Sequence, residues 1–241
     1  MARSKCINWF FGRGLSIGCN LSWVVPDEWR RLPRVEAIAL IKAALPKEMD
    51  RPDIDCSVIR FFLGLLSENT RPGWRHRFIT TNWDFLLQRE IEKFDLSYLP
   101  QWLDTSHVFH LNGTVEILED NSRRSPFLLE EDSGTCRTNT QEANEAYNKM
   151  ICDKYFVVVG MSFECETDKF LLRALGRVED EMPIGESYWV VVNRNKSALV
   201  ASCRRIQDAL PYASVTPVCA SLNDWLKSGT QDLRKWGALA P

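Results

Sequence analysis

The sequence predicts an α/β fold: a mainly parallel six-stranded sheet between two layers of helices, with a helical cap added. Three observations predict it. Short β-branched or aromatic runs alternate with stretches of helical periodicity along the chain. Two of those runs, 155–160 (YFVVVG) and 187–193 (SYWVVVN), are apolar on both faces, as strands covered by helices on either side must be. At 241 residues the chain has the length of a single such domain, 1–241, with room for a small insertion.

The elements follow in order. Cys6–Phe11 (CINWFF) reads as the first strand and runs into a glycine turn. Residues 24–75 hold helical patterns at Val35–Leu45 and Val58–Ser67, punctuated by Pro26, Pro33, Pro46 and Pro52. That is too much chain for one crossover, so 24–75 reads as a cap over the ligand end of the sheet. Arg77–Thr81 is the second strand, Phe85–Phe94 a helix and Val108–Leu111 the third strand. Residues 119–148 are polar, carry both charge signs and end in a helical pattern leading to Met150, which reads as a solvated excursion. Tyr155–Gly160, Ser187–Asn193 and Ser214–Val218 supply the remaining strands, with helices at Lys169–Val178 and Ala198–Leu210 between them.

Composition excludes several classes. Thirty Lys and Arg against 32 Asp and Glu leave a net charge of −2, too little for a global field that would hold a nucleic-acid backbone or an acidic membrane. A hydrophobic fraction of 45% with 26% charged residues suits a folded, soluble chain. No apolar run approaches the roughly 20 residues of a membrane span. The N-terminal MARSKCINWFFGRG has only a strand's length of apolar sequence and no small-residue cleavage site, so the expected location is cytoplasmic. None of the eight cysteines (6, 19, 56, 136, 152, 165, 203, 219) forms a CxxC pair, and they are expected as reduced core residues.

Five strand ends carry polar or small residues, and in an open α/β sheet that edge faces the ligand. After the first strand comes Gly12-Arg13-Gly14-Leu15-Ser16-Ile17-Gly18, a Rossmann-like glycine turn. It is either a tight strand-to-helix turn or a cradle for an anion, with the Arg13 guanidinium favouring the anion. After the second come Thr80-Thr81-Asn82-Trp83-Asp84, either helix caps or groups aimed at substrate. The third runs His107-Val108-Phe109-His110-Leu111-Asn112-Gly113, where period-two alternation puts His110 and Asn112 on one face and His107 on the other. Gly160-Met161-Ser162 and Val192-Asn193-Arg194 end two buried strands, where Gly160 and Ser162 permit close approach and Asn193 can bond hydroxyls.

In this order and spacing the five segments resemble the sirtuin-like NAD-binding fold over about residues 6–226. Gly12 to Ser16 is similar to its glycine loop, Thr81-Asn82-Trp83-Asp84 to its Thr-x-Asn-x-Asp segment and His110 to Gly113 to its His-Gly strand end. Gly160-Met161-Ser162 resembles its Gly-Thr-Ser turn, and Val192-Asn193-Arg194 carries the ribose-contacting Asn. The chain departs in two places: it lacks the two CxxC pairs of the deacylases' structural zinc, and Asn112 stands directly before Gly113 where the family has its catalytic His.

The resemblance therefore implies a zinc-free, metal-free domain with NAD as substrate, similar to NAD-hydrolysing effectors of prokaryotic anti-phage defence. It implies catalytic roles for Asn82 (ribose and water), Asp84 (nicotinamide carboxamide) and His110 as base, with Asn112 in the family His position. Gly12, Arg13, Gly14, Ser16, Thr81, Gly160, Ser162 and Asn193 are the implied NAD-binding set. An NAD-destroying enzyme must be held inactive, so a separate sensor or activator is expected, a nucleotide-binding protein, an ATPase or an Argonaute-like protein, together with self-association through aromatics such as Trp23, Trp29, Trp74 and Trp236. Direct nucleic-acid binding is not expected. The alternatives are a non-catalytic NAD or ADP-ribose sensor and a sirtuin-type protein deacylase.

Overall fold

The computed structural model describes residues 5–94, 100–115, 127, 129, 141–150, 153–181 and 186–240. Six strands, β1 (Lys5–Phe11), β2 (Trp74–Thr80), β3 (Phe109–His110), β4 (Tyr155–Val159), β5 (Ser187–Val192) and β6 (Ala213–Val218), form one sheet in the order β3-β2-β1-β4-β5-β6. Every pairing among them is parallel, with Phe11 level with Thr80 on one side and with Val159 on the other. The chain winds outward from β1 through β2 to β3, then crosses back to β4. The order reverses between β1 and β4, and a crevice opens there beyond the carboxyl ends of the strands.

The central strands are buried on both faces, as their composition predicts. Ile7, Trp9, Phe11, Val157, Val159, Val190 and Val192 belong to one core; Phe10, Phe156, Val158, Trp189 and Val191 belong to the other. Helices α1 (Arg13–Gly18), α2 (Arg34–Met49), α3 (Ser57–Asn69) and α4 (Leu86–Glu92) precede β3 in the chain. Helices α5 (Gln141–Met150), α6 (Glu166–Glu181), α7 (Lys196–Ala209), α8 (Leu222–Lys227) and α9 (Gln231–Lys235) follow it. The segment 24–75 divides in two. Its α3 lies on the sheet itself, where Phe62 sets its ring edge-on to Trp9, Phe11 and Phe78 at 4.7, 5.7 and 5.7 Å. Its earlier part, a 3₁₀ turn at Trp29–Arg31 and α2, reaches the crevice through Arg30 and Leu45. Of the polar excursion, most of 119–148 lies outside the described residues, and its final helical pattern is α5.

One aromatic expectation needs correction: Trp74 is not exposed. Trp74 is buried, edge-on to Tyr155 at 4.9 Å, and Trp236 packs on the same Tyr155 at 5.2 Å. Both pack near the amino end of the sheet, Trp74 fully covered and Trp236 half-buried. Next to them, the Trp9 indole N–H donates to His76 Nδ1 at 2.9 Å, and His76 Nε2 lies 2.9 Å from Thr70 Oγ1. The Thr70 hydroxyl gives its single proton to the Leu66 carbonyl, so Nε2 must carry the imidazole proton. Burial then drives the His76 pKa down to about 3 and keeps the ring neutral.

Candidate functional site

The end of β2 is shaped by side chains that bond back onto the backbone. Thr80 Oγ1 donates to the Phe11 carbonyl at 2.9 Å and accepts from the Asn82 N–H at 3.0 Å, which turns the chain out of the sheet. Asn82 Nδ2 donates to the Gly12 carbonyl at 3.1 Å and to Ser16 Oγ at 2.9 Å. A carbonyl oxygen can only accept, so the amide has its nitrogen inward. Its Oδ1 makes no hydrogen bond among the described residues. Ser16 Oγ donates in turn to Asp84 Oδ2 at 2.6 Å, and the Leu86 N–H reaches Asp84 Oδ1 at 3.3 Å. Burial pushes the Asp84 carboxyl above the usual carboxylate range, while the bonds from Ser16 and Leu86 pull it back. Asp84 thus accepts from the first N–H of α4, one residue ahead of the N-cap Phe85, and belongs to the crevice as well.

The glycines answer to packing. The Gly12 N–H donates to the Val159 carbonyl and the Gly14 N–H to the Gly160 carbonyl, each at 3.0 Å. A Cβ on Gly14 would stand 2.5 Å from the Gly160 Cα, and one on Gly12 2.7 Å from the Gly160 carbonyl oxygen. Gly160 itself sits at φ +60°, in the left-handed region. These three let the turn after β1 lie backbone to backbone on the turn after β4. Gly18, the last glycine of the motif, faces open space.

At the third strand end, the chain turns at Gly113 (φ +76°), whose N–H returns to the His110 carbonyl at 3.0 Å. Asn112 stands on the crevice wall with Nδ2 donating to the Thr81 carbonyl at 2.8 Å. His110 is buried, set back from that wall beside the Asn82 backbone. Burial pushes its pKa down to about 4, against a small opposing pull from the Asn82 carbonyl, so the imidazole is neutral at pH 7. His107 is exposed, with its ring edge-on to Phe109 at 4.6 Å.

The crevice encloses about 160 Å³ and opens to solvent at its mouth. Arg13, Ser16, Thr81, Asn82, Asp84 and Asn112 share its lining, while Gly12, Gly14 and Gly160 lock the two turns behind it. Ser162 and Asn193 are placed elsewhere. The Ser162 carbonyl accepts from Arg205 at 2.6 Å, and Asn193 Oδ1 accepts from the Asn195 N–H at 2.9 Å to shape the turn into α7. The sequence reading missed Trp23, Arg30, Trp83, Cys165 and Asp168, which also line the crevice. Trp83 was legible from its place between Asn82 and Asp84. Asp168 had only the weaker signal of an acidic residue in the first turn of a helix after a glycine strand end. A second, small apolar chamber of about 40 Å³, lined by Val25, Trp29, Leu32, Ile41 and Leu129, shares Arg30 and Trp83 with the crevice. Among the described residues no three His, Cys, Asp or Glu side chains are grouped as metal ligands, and no helix is long and apolar enough to cross a membrane.

No protein-family model and no curated protein matches the sequence. Solved structures do match the fold. A structure of Sir2 with a p53 peptide and NAD+ aligns with a TM-score of 0.50 at 12% identity, over 97% of this chain and 94% of that one. A structure of a Sir2 enzyme bearing on mechanism and regulation gives 0.51 at 14% identity, over 98% and 95%. Sir2 bound to an acetylated peptide gives 0.50 at 12% identity, over 98% and 94%. At such identities the likeness establishes a shared fold, and the chemistry must be argued from the side chains.

Proposed function

We propose that the protein is an NAD+ glycohydrolase, converting NAD+ and water to ADP-ribose, nicotinamide and a proton. The observation that carries this reading is the Asn82 amide, locked through both N–H groups to Gly12 and Ser16 with its oxygen uncommitted in the crevice that Asp84 also lines.

The chemistry matches what these residues supply. When the nicotinamide–ribose bond breaks, the pyridinium leaves as neutral nicotinamide, so the leaving group needs no proton. Positive charge builds on the ribose instead. A fixed amide dipole and a half-buried carboxylate stabilise that charge without reorganising, which is the larger part of catalysis in such a site. Asn82 Oδ1 accepts from a ribose hydroxyl or from the attacking water, which it thereby orients. Water adds to the cationic carbon and loses its proton only as the bond forms, so a strong base at His110 is not essential. Arg13 and Arg30 in the lining match the two negative charges of a pyrophosphate. In this reading the enzyme is the toxic effector of an anti-phage defence system, triggered by a separate sensor subunit, as the sequence resemblance implies.

Two other readings each have an observation in favour. The amide at Asn112 and the neutral, set-back His110 favour a binder of NAD or ADP-ribose that does not turn it over. The apolar chamber beside the crevice, and the shared fold with Sir2 bound to an acetylated peptide, favour a deacylase. Incubation with NAD+, with and without an acylated peptide, separates the three. Nicotinamide with free ADP-ribose marks the hydrolase, acyl-ADP-ribose the deacylase, and tight ADP-ribose binding without products the sensor.

A further inference from the structure

Helix α2 is apolar on two faces, and only one of them is buried. Ala37, Ile41, Leu45 and Met49 recur every four residues and point inward, Ala37 and Ile41 into the wall of the apolar chamber and Leu45 into that of the crevice. The solvent side of such a helix should be polar. Instead it carries Val35, Glu36, Ala39, Leu40, Ala43 and Lys47, with Val35 78% and Leu40 37% exposed. The segment at Phe127 packs on a different flank, where Arg34 donates to the Phe127 carbonyl at 2.7 Å and Lys42 Nζ stands 5.6 Å from the centre of its ring.

Glu36, Leu40, Ala43 and Lys47 are spaced four, three and four, so they form one strip along the exposed face. Among the described residues neither the Glu36 carboxylate nor the Lys47 ammonium has an ion pair. Set against a second copy running the other way, the strip is its own complement. Glu36 meets Lys47 of the second copy, Leu40 meets Ala43, Ala43 meets Leu40 and Lys47 meets Glu36, the reciprocal pattern that a two-fold axis requires. Each leucine faces an alanine, so the two helices can approach closely. A parallel arrangement would set glutamate on glutamate and lysine on lysine, and charge therefore selects the antiparallel one.

We propose that the exposed face of α2 is a self-association surface, on which a second copy of this chain packs its own α2 antiparallel about a two-fold axis. The apolar centre, Leu40 and Ala43 with Val35 and Ala39 beside them, supplies the burial. The two Glu36–Lys47 pairs at its ends set the register and the direction. Because the other face of the same helix walls the chamber and the crevice, the second copy holds the cap in place from outside.

The test is sedimentation velocity of the full chain over a concentration series from about 1 to 200 µM. The expected result is a shift from monomer to dimer as concentration rises, and a monomer throughout for Leu40→Lys. Glu36→Lys and Lys47→Glu should each weaken association by about tenfold or more, because like charges then meet at both ends. Combining the two substitutions restores opposite charges and should return association to within about threefold of the unaltered chain. All three positions are exposed, so thermal unfolding of the variants should match that of the unaltered chain. A monomer at every concentration, which would leave the face to a different protein, overturns the proposal, as does association that Leu40→Lys does not change. A double variant as weak as the single ones would overturn the antiparallel register.

Discussion

Ser16 Oγ donates to Asp84 Oδ2 at 2.6 Å while accepting from Asn82 Nδ2 at 2.9 Å, so one hydroxyl joins α1 to the end of β2. Each partner fixes the other two. The hydroxyl has one proton and gives it to the carboxylate; the amide therefore must donate, and its oxygen is left for the crevice. Residues 16, 82 and 84 are thus a unit whose single substitutions should be strongly non-additive.

Ser16→Ala removes a bond that stabilises the charged form of Asp84, so the Asp84 pKa, already raised by burial, should rise further. If the carboxylate is the active form, cleavage is complete above its folded pKa and is lost as pH falls through it. The acid limb of kcat/KM for NAD+ cleavage should then move to higher pH in Ser16→Ala. An unmoved limb would separate Asp84 from the chemistry.

Two glycines of one motif should behave oppositely. Gly14→Ala drives a Cβ to 2.5 Å from the Gly160 Cα and should cost about 1–3 kcal/mol or more. Gly18→Ala meets nothing within 4 Å and should be neutral or stabilising by up to about 1 kcal/mol. Urea denaturation of the two variants measures both. Equal losses would show that the turn after β1 does not depend on its contact with β4.

Most of the fold was legible because its strands are apolar on both faces and their ends carry glycine or polar residues. What was hidden shows where pattern reading stops. The second strand reads from Arg77, yet β2 begins at Trp74. Inside it, Arg77 is buried against Asp104 and Asp153, and His76 is held neutral by Trp9 and Thr70. Charge that is paired across distant segments looks, in a linear sequence, like exposed loop. At the site, residues on strand ends were legible, whereas Trp23, Arg30, Cys165 and Asp168 come from loops and a helix start whose approach is set by tertiary packing.

Acid should destabilise the protein through its buried imidazoles. His110 and His76 have folded pKa values of about 4 and about 3, below the ordinary 6.5. Their contribution is complete above pH 6.5 and is lost as pH falls through the folded values, because only the unfolded chain takes up the protons. At pH 5 each should cost about 2 kcal/mol. The raised carboxyls of Asp84 and Asp153 act in the opposite direction, since protonation relieves their burial. Comparing unaltered protein with His110→Gln by urea denaturation between pH 7 and pH 5 isolates one histidine. The variant should lose about 2 kcal/mol less stability on acidification, and parallel curves would contradict the burial argument.

A neutral, set-back His110 also predicts the pH profile of catalysis. With a pKa of about 4, it should put no limb near pH 6.5, and kcat/KM should change less than about twofold between pH 6 and pH 7.5. Asn112→Ala, on the crevice wall, should lower kcat/KM by about tenfold or more through lost positioning. A limb near pH 6.5 that His110→Gln abolishes would instead give His110 the role of base that the sequence resemblance implies.

The most direct test of the central claim is release of nicotinamide and ADP-ribose from NAD+, followed by chromatography, for the unaltered chain and for Asn82→Ala. Each is assayed alone and with the protein encoded beside its gene. The account predicts stoichiometric release of both products by the unaltered chain in at least one condition. It predicts a loss of about 10²-fold or more in kcat for Asn82→Ala in protein that is still folded at the assay temperature, with a modest fall in thermal stability from the two lost hydrogen bonds. Intact NAD+ in every condition, or cleavage by Asn82→Ala at the unaltered rate, would contradict it.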